Sequence, residues 1–286
     1  MTDNLSTELP IKRLEESLKQ AILEGFVEVP MLPEVANRAL SLAQDPEASA
    51  ADMAELIERD QSLAGHVMRI ANSVAYTPMA NLVSLQQAVA RLGMIVISEI
   101  ALTAALGAKL FRTPGYEDYV EYNWQHALAT SLWAKEVAKL CGSNTEATFL
   151  TGLLHSIGRP AVLQTLLDLA EQQKLSLTPE QVYLLENKYS QPVTALVVRR
   201  WNMPSQIIES IQYYAELDEA TDTGKIAAAV YLSSHLAAYM LDVGAEDDTE
   251  SLIDLAQDVL GLEQADMEHL LQLEADIQRR LDGLSA

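Results

Sequence analysis

Few side chains in this sequence are placed to do chemistry, and the first is a histidine. In TGLLHSIGRPAV, residues 151–162, His155 stands inside an apolar run with Ser156 beside it and Arg159 one turn on. An imidazole there can titrate near neutral pH or bind a metal. An aspartate after the histidine would make a His-Asp pair, which suggests a metal site for phosphoester hydrolysis. Serine is neutral and a poor ligand for the hard cations such chemistry uses. Nor do Ser156 and His155 make a nucleophile and its base, because neighbours i and i+1 on a helix diverge. Arg159 can anchor an anion or pair with a local carboxylate, and the second is the simpler reading.

His126 is the other inward imidazole. In NWQHALATSLWAKEVAKL, at ~100° per residue, Lys135, Glu136 and Lys139 share one face, while His126, Thr130, Trp133 and Val137 lie on the other. A lone histidine on an apolar face is most often a core residue with its N–H paired, and that reading is favoured over metal binding for His126 and His155. His66, in GHVMRIANS, reads as packing or surface, and His269 as solvated. Arg199 and Arg200 form a second candidate anion anchor. Asp168, Glu171 and Glu186 lie on amphipathic segments and read as surface charges. Trp201, Tyr213 and Tyr214 read as core aromatics rather than a ligand cage. Cys141, beside Gly142, belongs to a capping loop.

The elements that must position these residues are helices. Ala, Leu, Glu and Gln dominate the 286 residues, Gly and Pro number only 12 and 10, and β-branched alternation is nearly absent. Hydrophobic residues at 49% and charged residues at 21% suit a globular chain with ample core. A formal charge of -22 repels phosphate backbones and anionic lipid, so neither nucleic acid nor membrane is an expected partner. From Ala245 onward twelve Asp and Glu face two Arg, a net of -10, which reads as a solvated helical tail rather than a dock for a basic partner. One cysteine allows no internal disulfide and suits a reducing cytoplasm. MTDNLSTELP has neither a basic nor an apolar signal region, so no signal peptide is expected. No run approaches the ~18 apolar residues needed to span a bilayer.

Along the chain, residues 1–24 predict a helix with Ile11, Leu14, Leu18 and Ile22 on one face. Pro33 opens a helix that ends before Asp45-Pro46. Ser49 with Asp52 and Ser84 with Gln87 read as capping boxes, Asp60 as an N-cap and Gly93 as a stop. Further helices are expected over 94–111, 123–140 and 146–159. The last is apolar nearly all round, with Thr148, Thr151, Gly152, His155 and Arg159 in one stripe that meets a crevice or a neighbouring helix across small residues. Thr178-Pro179-Glu180-Gln181 and Met203-Pro204-Ser205-Gln206 start two more. A helix over 223–241 carries Ser233, Ser234 and His235, and the tail predicts helices over 249–260 and 264–284.

Six segments in order carry a resemblance. LPEVANRALSLAQDP, LIERDQSLAGHVMRIANSVAY and VSLQQAVARLGMIVISEIAL are followed by NWQHALATSLWAKEVAKL, TGLLHSIGRPAVLQ and VVRRWNMPSQIIESIQYY. Together they resemble the HDOD domain, the HD-related output domain of bacterial signalling proteins, over residues 22–217. The resemblance implies a helical leader over 1–21 and a helical C-terminal extension over 218–286 packed on the domain. It implies an all-α fold similar to the HD phosphohydrolases, with an added N-terminal helical bundle. Those enzymes hold metal with a histidine, a His-Asp pair and a later aspartate. Residue by residue, His126 matches the first histidine and His155 the second, while Ser156 stands where the aspartate belongs. Tyr189 falls where many relatives have a histidine, Tyr213 and Tyr214 on a His-His pair, and Ser234 near the late aspartate.

A set so reduced lacks the carboxylate that neutralises the cation and positions the attacking water. Two histidines also fall short of the ~three protein ligands of a catalytic zinc. His235 would make a third imidazole, but one step along a helix turns it ~100° from the lost ligand's direction. The expectation is therefore no catalytic residue, no metal and no cofactor. The chain would be a cytoplasmic, non-catalytic regulatory module that binds a signalling protein. Its vestigial pocket would be filled by Tyr and Ser or left open to a small ligand. Two rivals are a residual metal-dependent phosphohydrolase and a nucleotide or cyclic-dinucleotide binder using Arg159 or Arg199-Arg200.

Overall fold

Side-chain caps set several of the helix starts. The computed structural model describes residues 4–74, 76–77, 82–107, 110–214, 221–241 and 249–285, and no strand occurs among them. The N-terminal half holds α1 (Asn4–Leu23), α2 (Glu34–Ala43), α3 (Ala50–Glu58), α4 (Gln61–Ala71), α5 (Leu85–Leu92) and α6 (Met94–Leu106). Ser49 and Asp52 close a full capping box on α3, and Asp60 caps α4 through the Leu63 N–H. Ser84 accepts from the Gln87 N–H, but Gln87 reaches back to the Val83 N–H, one residue beyond the box expected. Gly93 takes φ +88°, open to glycine and costly to other residues, and there α6 leaves α5 at 118°. Asn72 of the RIANS segment brackets Leu82, donating to its carbonyl at 3.0 Å and accepting from its N–H at 2.7 Å.

The second half holds α7 (Glu117–Cys141), α8 (Thr145–Leu154), α9 (Gly158–Gln173), α10 (Pro179–Arg200), α11 (Ser205–Tyr213) and α12 (Asp222–Met240). Here α7 packs on both α8 and α12, and α9 crosses α10. The expected helix over 146–159 is in fact two, with a turn at residues 155–157. Pro160 is the physical reason. Within a continuous helix it would remove a hydrogen bond to Ser156 and clash there, whereas in the first turn of α9 its missing N–H costs nothing. α7 begins six residues before the expected 123, with Glu117 and Asp118 in its first turn, where acids favour a helix start.

Two glycines fix how closely these helices approach. A Cβ on Gly152 would lie 2.9 Å from Ser131 Cα, so glycine lets α8 settle on α7. A Cβ on Gly158 would lie 2.1 Å from the Ser190 carbonyl oxygen of α10. The Gly158 N–H instead donates to Thr194 Oγ1 at 3.0 Å. The 155–157 turn is thus held between two tight crossings.

The ends of the chain are packed too. Leu14 and Leu18 of α1 are buried against α9 and α10. The tail forms α13 (Thr249–Asp254), which continues as a π-helical turn through Val259, then α14 (Gln264–Gln272) and α15 (Glu274–Ser285). The expected single helix over 264–284 therefore breaks at Leu273. Leu270, Ile277, Leu281 and Leu284 join the main hydrophobic core. Arg280 pairs with Glu136 of α7 at 3.0 Å and with Asp276 at 2.6 Å. Among the described residues of the tail, Asp254, Asp258, Glu263, Glu268, Glu274 and Asp282 are exposed, but its apolar stripe is core. No single helix among the described residues is long and apolar enough to cross a membrane.

Candidate functional site

The two inward imidazoles meet. His126 on α7 and His155 in the turn after α8 have ring centroids 5.8 Å apart. His126 Nε2 donates to the Ser234 carbonyl of α12 at 3.0 Å, and His155 Nδ1 donates to the Gly152 carbonyl at 2.6 Å. The backbone acceptors fix which nitrogen of each ring carries its proton, and burial of both rings favours the neutral form. Burial holds His155 far below the usual imidazole range, at about 3, with His126 and Arg159 adding to the shift. Burial also lowers His126, against the opposing pull of its bond to Ser234.

Four more rings extend the pair into a row. Tyr122 lies 6.5 Å from His126, Tyr214 5.4 Å from His155, Tyr231 5.9 Å from Tyr214 and His235 4.5 Å from Tyr231. Tyr214 donates its hydroxyl to Ser234 Oγ at 3.1 Å, and Ser234 donates to the Tyr231 carbonyl at 2.8 Å. His235 Nδ1 donates to that same carbonyl at 2.8 Å. Two tyrosine rings thus stand between His235 and His155 along the row, and no three-imidazole site forms.

Of the other positions singled out, Ser156 lines a cavity of about 20 Å³ with Asn123 and Trp124, room for about one water. Tyr189 points elsewhere: its hydroxyl donates to Glu15 of α1 at 2.7 Å, beside Lys188 on the same carboxylate. Among the described residues, Tyr213 makes no ring contact with the row. Arg200 donates to the Val27 carbonyl at 2.7 Å and to the Gly25 carbonyl, which ties down the segment between α1 and α2. Trp201 Nε1 joins it with a bond to the Pro30 carbonyl at 2.8 Å.

Glu186 corrects an expectation. It reads as a surface charge in sequence, yet it is fully buried on α10. Its Oε2 accepts the Tyr119 hydroxyl and meets Arg159 Nη1 at 3.4 Å, and its Oε1 has no partner. Arg159 Nη2 also reaches Asn187 Oδ1 at 3.3 Å. Arg159 is therefore carboxylate-paired. Burial raises the Glu186 pKa, opposed by Tyr119 and Arg159. A polarity pattern on one helix cannot distinguish a solvated carboxylate from one buried under α7 and α9. Tyr122, at i-4 from His126, and Tyr231, at i-4 from His235, were legible from helical spacing.

The donor set does not fit the metal of an HD phosphohydrolase. The bonds to backbone carbonyls leave each imidazole one ring nitrogen, but Ser156 brings no carboxylate to join them. Among the described residues no three His, Cys, Asp or Glu converge as a metal requires. The positive charge of Arg159 also bears on both imidazoles, which works against a bound cation.

The model of the HDOD domain matches residues 29–217. The chain belongs to the HDOD family. An uncharacterized protein of Treponema pallidum (strain Nichols) is 22% identical over 242 residues, 82% of this chain and 47% of its own length. The chain thus spans about half the length of the curated relative it matches. Among solved structures, a candidate metal-dependent phosphohydrolase from Shewanella amazonensis SB2B superposes with a TM-score of 0.72 at 22% identity, over 95% of this chain and 99% of that one. An HDOD domain protein with unknown function from Geobacter sulfurreducens gives 0.70 at 23%, over 96% and 97%. At these identities the likeness shows the all-α HD-like fold.

Proposed function

We propose that this HDOD chain is a non-catalytic regulatory module that works by contact with a signalling protein. The observation that carries the reading lies around the imidazole pair. Ser156 stands beside His155 where a metal pair needs a carboxylate, and Tyr214 and Ser234 bond to each other in the positions that the resemblance matches to further ligands. The polar groups have turned inward and hold helices together, so the remaining means of action is surface recognition. The pairing of Arg159 with Glu186 weighs against a nucleotide anchored there. A single cysteine fits a cytoplasmic setting.

Metal content after exposure to Mn²⁺, Fe²⁺ and Zn²⁺, by inductively coupled plasma mass spectrometry, is the direct test. Near-zero metal is expected for the wild type. One metal per chain, lost in His126→Ala or His155→Ala, would overturn the reading in favour of a residual phosphohydrolase. Crosslinking in cell extract then has to give a discrete partner band that does not depend on chelator.

A further inference from the structure

A cleft of about 460 Å³ lies on the seam between the N-terminal bundle and the helices that carry the imidazole pair. Leu40 of α2 with Ile95 and Glu99 of α6 forms one wall; Glu146 and Leu150 of α8 with Ile207 of α11 form the other. That volume suits a small organic molecule, and seams between packed units are where such sites commonly form. The polar groups narrow the occupant. Glu99 is buried, with both oxygens on Lys135 Nζ at 2.7 and 2.8 Å. The Ser98 hydroxyl is spent on the Ile95 carbonyl and Asn144 Oδ1 on the Ala147 N–H. Glu146 is half-buried, makes no ion pair among the described residues, and lies near enough for its charge to raise the Glu99 pKa. No Lys or Arg is among the residues that line the cleft. An anion there meets Glu146 and a Glu99 already matched by Lys135, whereas an ammonium group meets Glu146 and its apolar body meets Ile95, Leu150 and Ile207.

We propose that this seam cleft is a binding site for a small organic amine, with the ammonium at Glu146 and the apolar body between Ile95 and Leu150. The site lies apart from the imidazole pair, and the proposal stands whether or not that pair holds metal. An occupant touches α2 and α6 on one side and α8 and α11 on the other, so it biases how the N-terminal bundle sits on the second half. That gives a regulatory module an input.

Calorimetry on the full chain tests this with phenethylamine, which is cationic at neutral pH, and with phenylacetate, a probe of similar shape and opposite charge. Saturable binding of phenethylamine is expected, with no binding of phenylacetate. Glu146→Gln should weaken the amine about tenfold. Ile95→Trp should abolish binding by filling the cleft, from a position 40% exposed that tolerates bulk. Absence of saturable amine binding to the wild type, equal binding of phenylacetate, or unchanged binding in Ile95→Trp would each overturn the proposal. Melting curves of both variants confirm that they are folded.

Discussion

Replacing His155 by glutamine probes the neutral, buried imidazole of the candidate site. The glutamine amide keeps a donor for the Gly152 carbonyl and removes the only proton-binding group at the position. In the wild type the folded ring binds its proton at about 3 against 6.5 for a free imidazole. The folded value is depressed, so the unfolded chain binds more protons between these limits. The stability that neutral His155 contributes is complete above pH 6.5 and is lost as pH falls toward 3. By linkage the loss is about 2 kcal/mol at pH 5 and about 3 kcal/mol at pH 4. The pH 5 figure is set by the unfolded-state value, because the folded imidazole is still neutral there. Urea unfolding of both proteins at pH 7, 5 and 4 reads the effect. Wild type should lose about 2 kcal/mol more than His155→Gln between pH 7 and 5. Equal acid slopes, or a His155 ring signal in NMR that titrates near pH 6.5, would refute the reasoning.

Three further outcomes are expected. Gly158→Ala puts a methyl 2.1 Å from the Ser190 carbonyl and 2.5 Å from Thr194 N, so α9 must lift from α10; a loss of about 2–4 kcal/mol in urea melts follows from overpacking, and a loss below about 1 kcal/mol would contradict it. Glu186, with its pKa raised by burial, contributes stability that is full below the ordinary glutamate value of 4.5 and is lost as pH rises through its folded value; Glu186→Gln should flatten that decline, and a variant that loses more stability than wild type from pH 5 to 8 would speak against it. Ser156→Asp supplies a third ligand beside His126 and His155 but leaves Ser234 at the late-aspartate position, so metal content should stay below one per chain, whereas one tightly held metal per chain would mean that the site needs only that residue.

Short-range physics made much of this fold legible in the sequence. Ser49, Asp60, Ser84, Thr178 and Gly93 stand where helices begin and end because a cap acts within three residues of itself. The inward turn of His126 and the small-residue stripe of α8 followed from helical period alone. The match of Ser156, Tyr214 and Ser234 to ligand positions of the HD enzymes is what the HDOD resemblance implies. The break at His155 had a local cause in Pro160, but apolarity over 146–159 masked it.

Tertiary structure decided the rest. Glu186 has the same local pattern as a solvated glutamate, and its burial arises only because Tyr119 from α7 and Arg159 from α9 close over α10. Tyr189 stands where the HDOD resemblance implies a histidine, yet its hydroxyl belongs to Glu15, 174 residues away in sequence. The seam cleft likewise has two walls built from four helices that no local window joins. Caps and periods are set by neighbours in sequence, whereas burial, charge pairing and cavities depend on which distant helices arrive, and packing makes that choice.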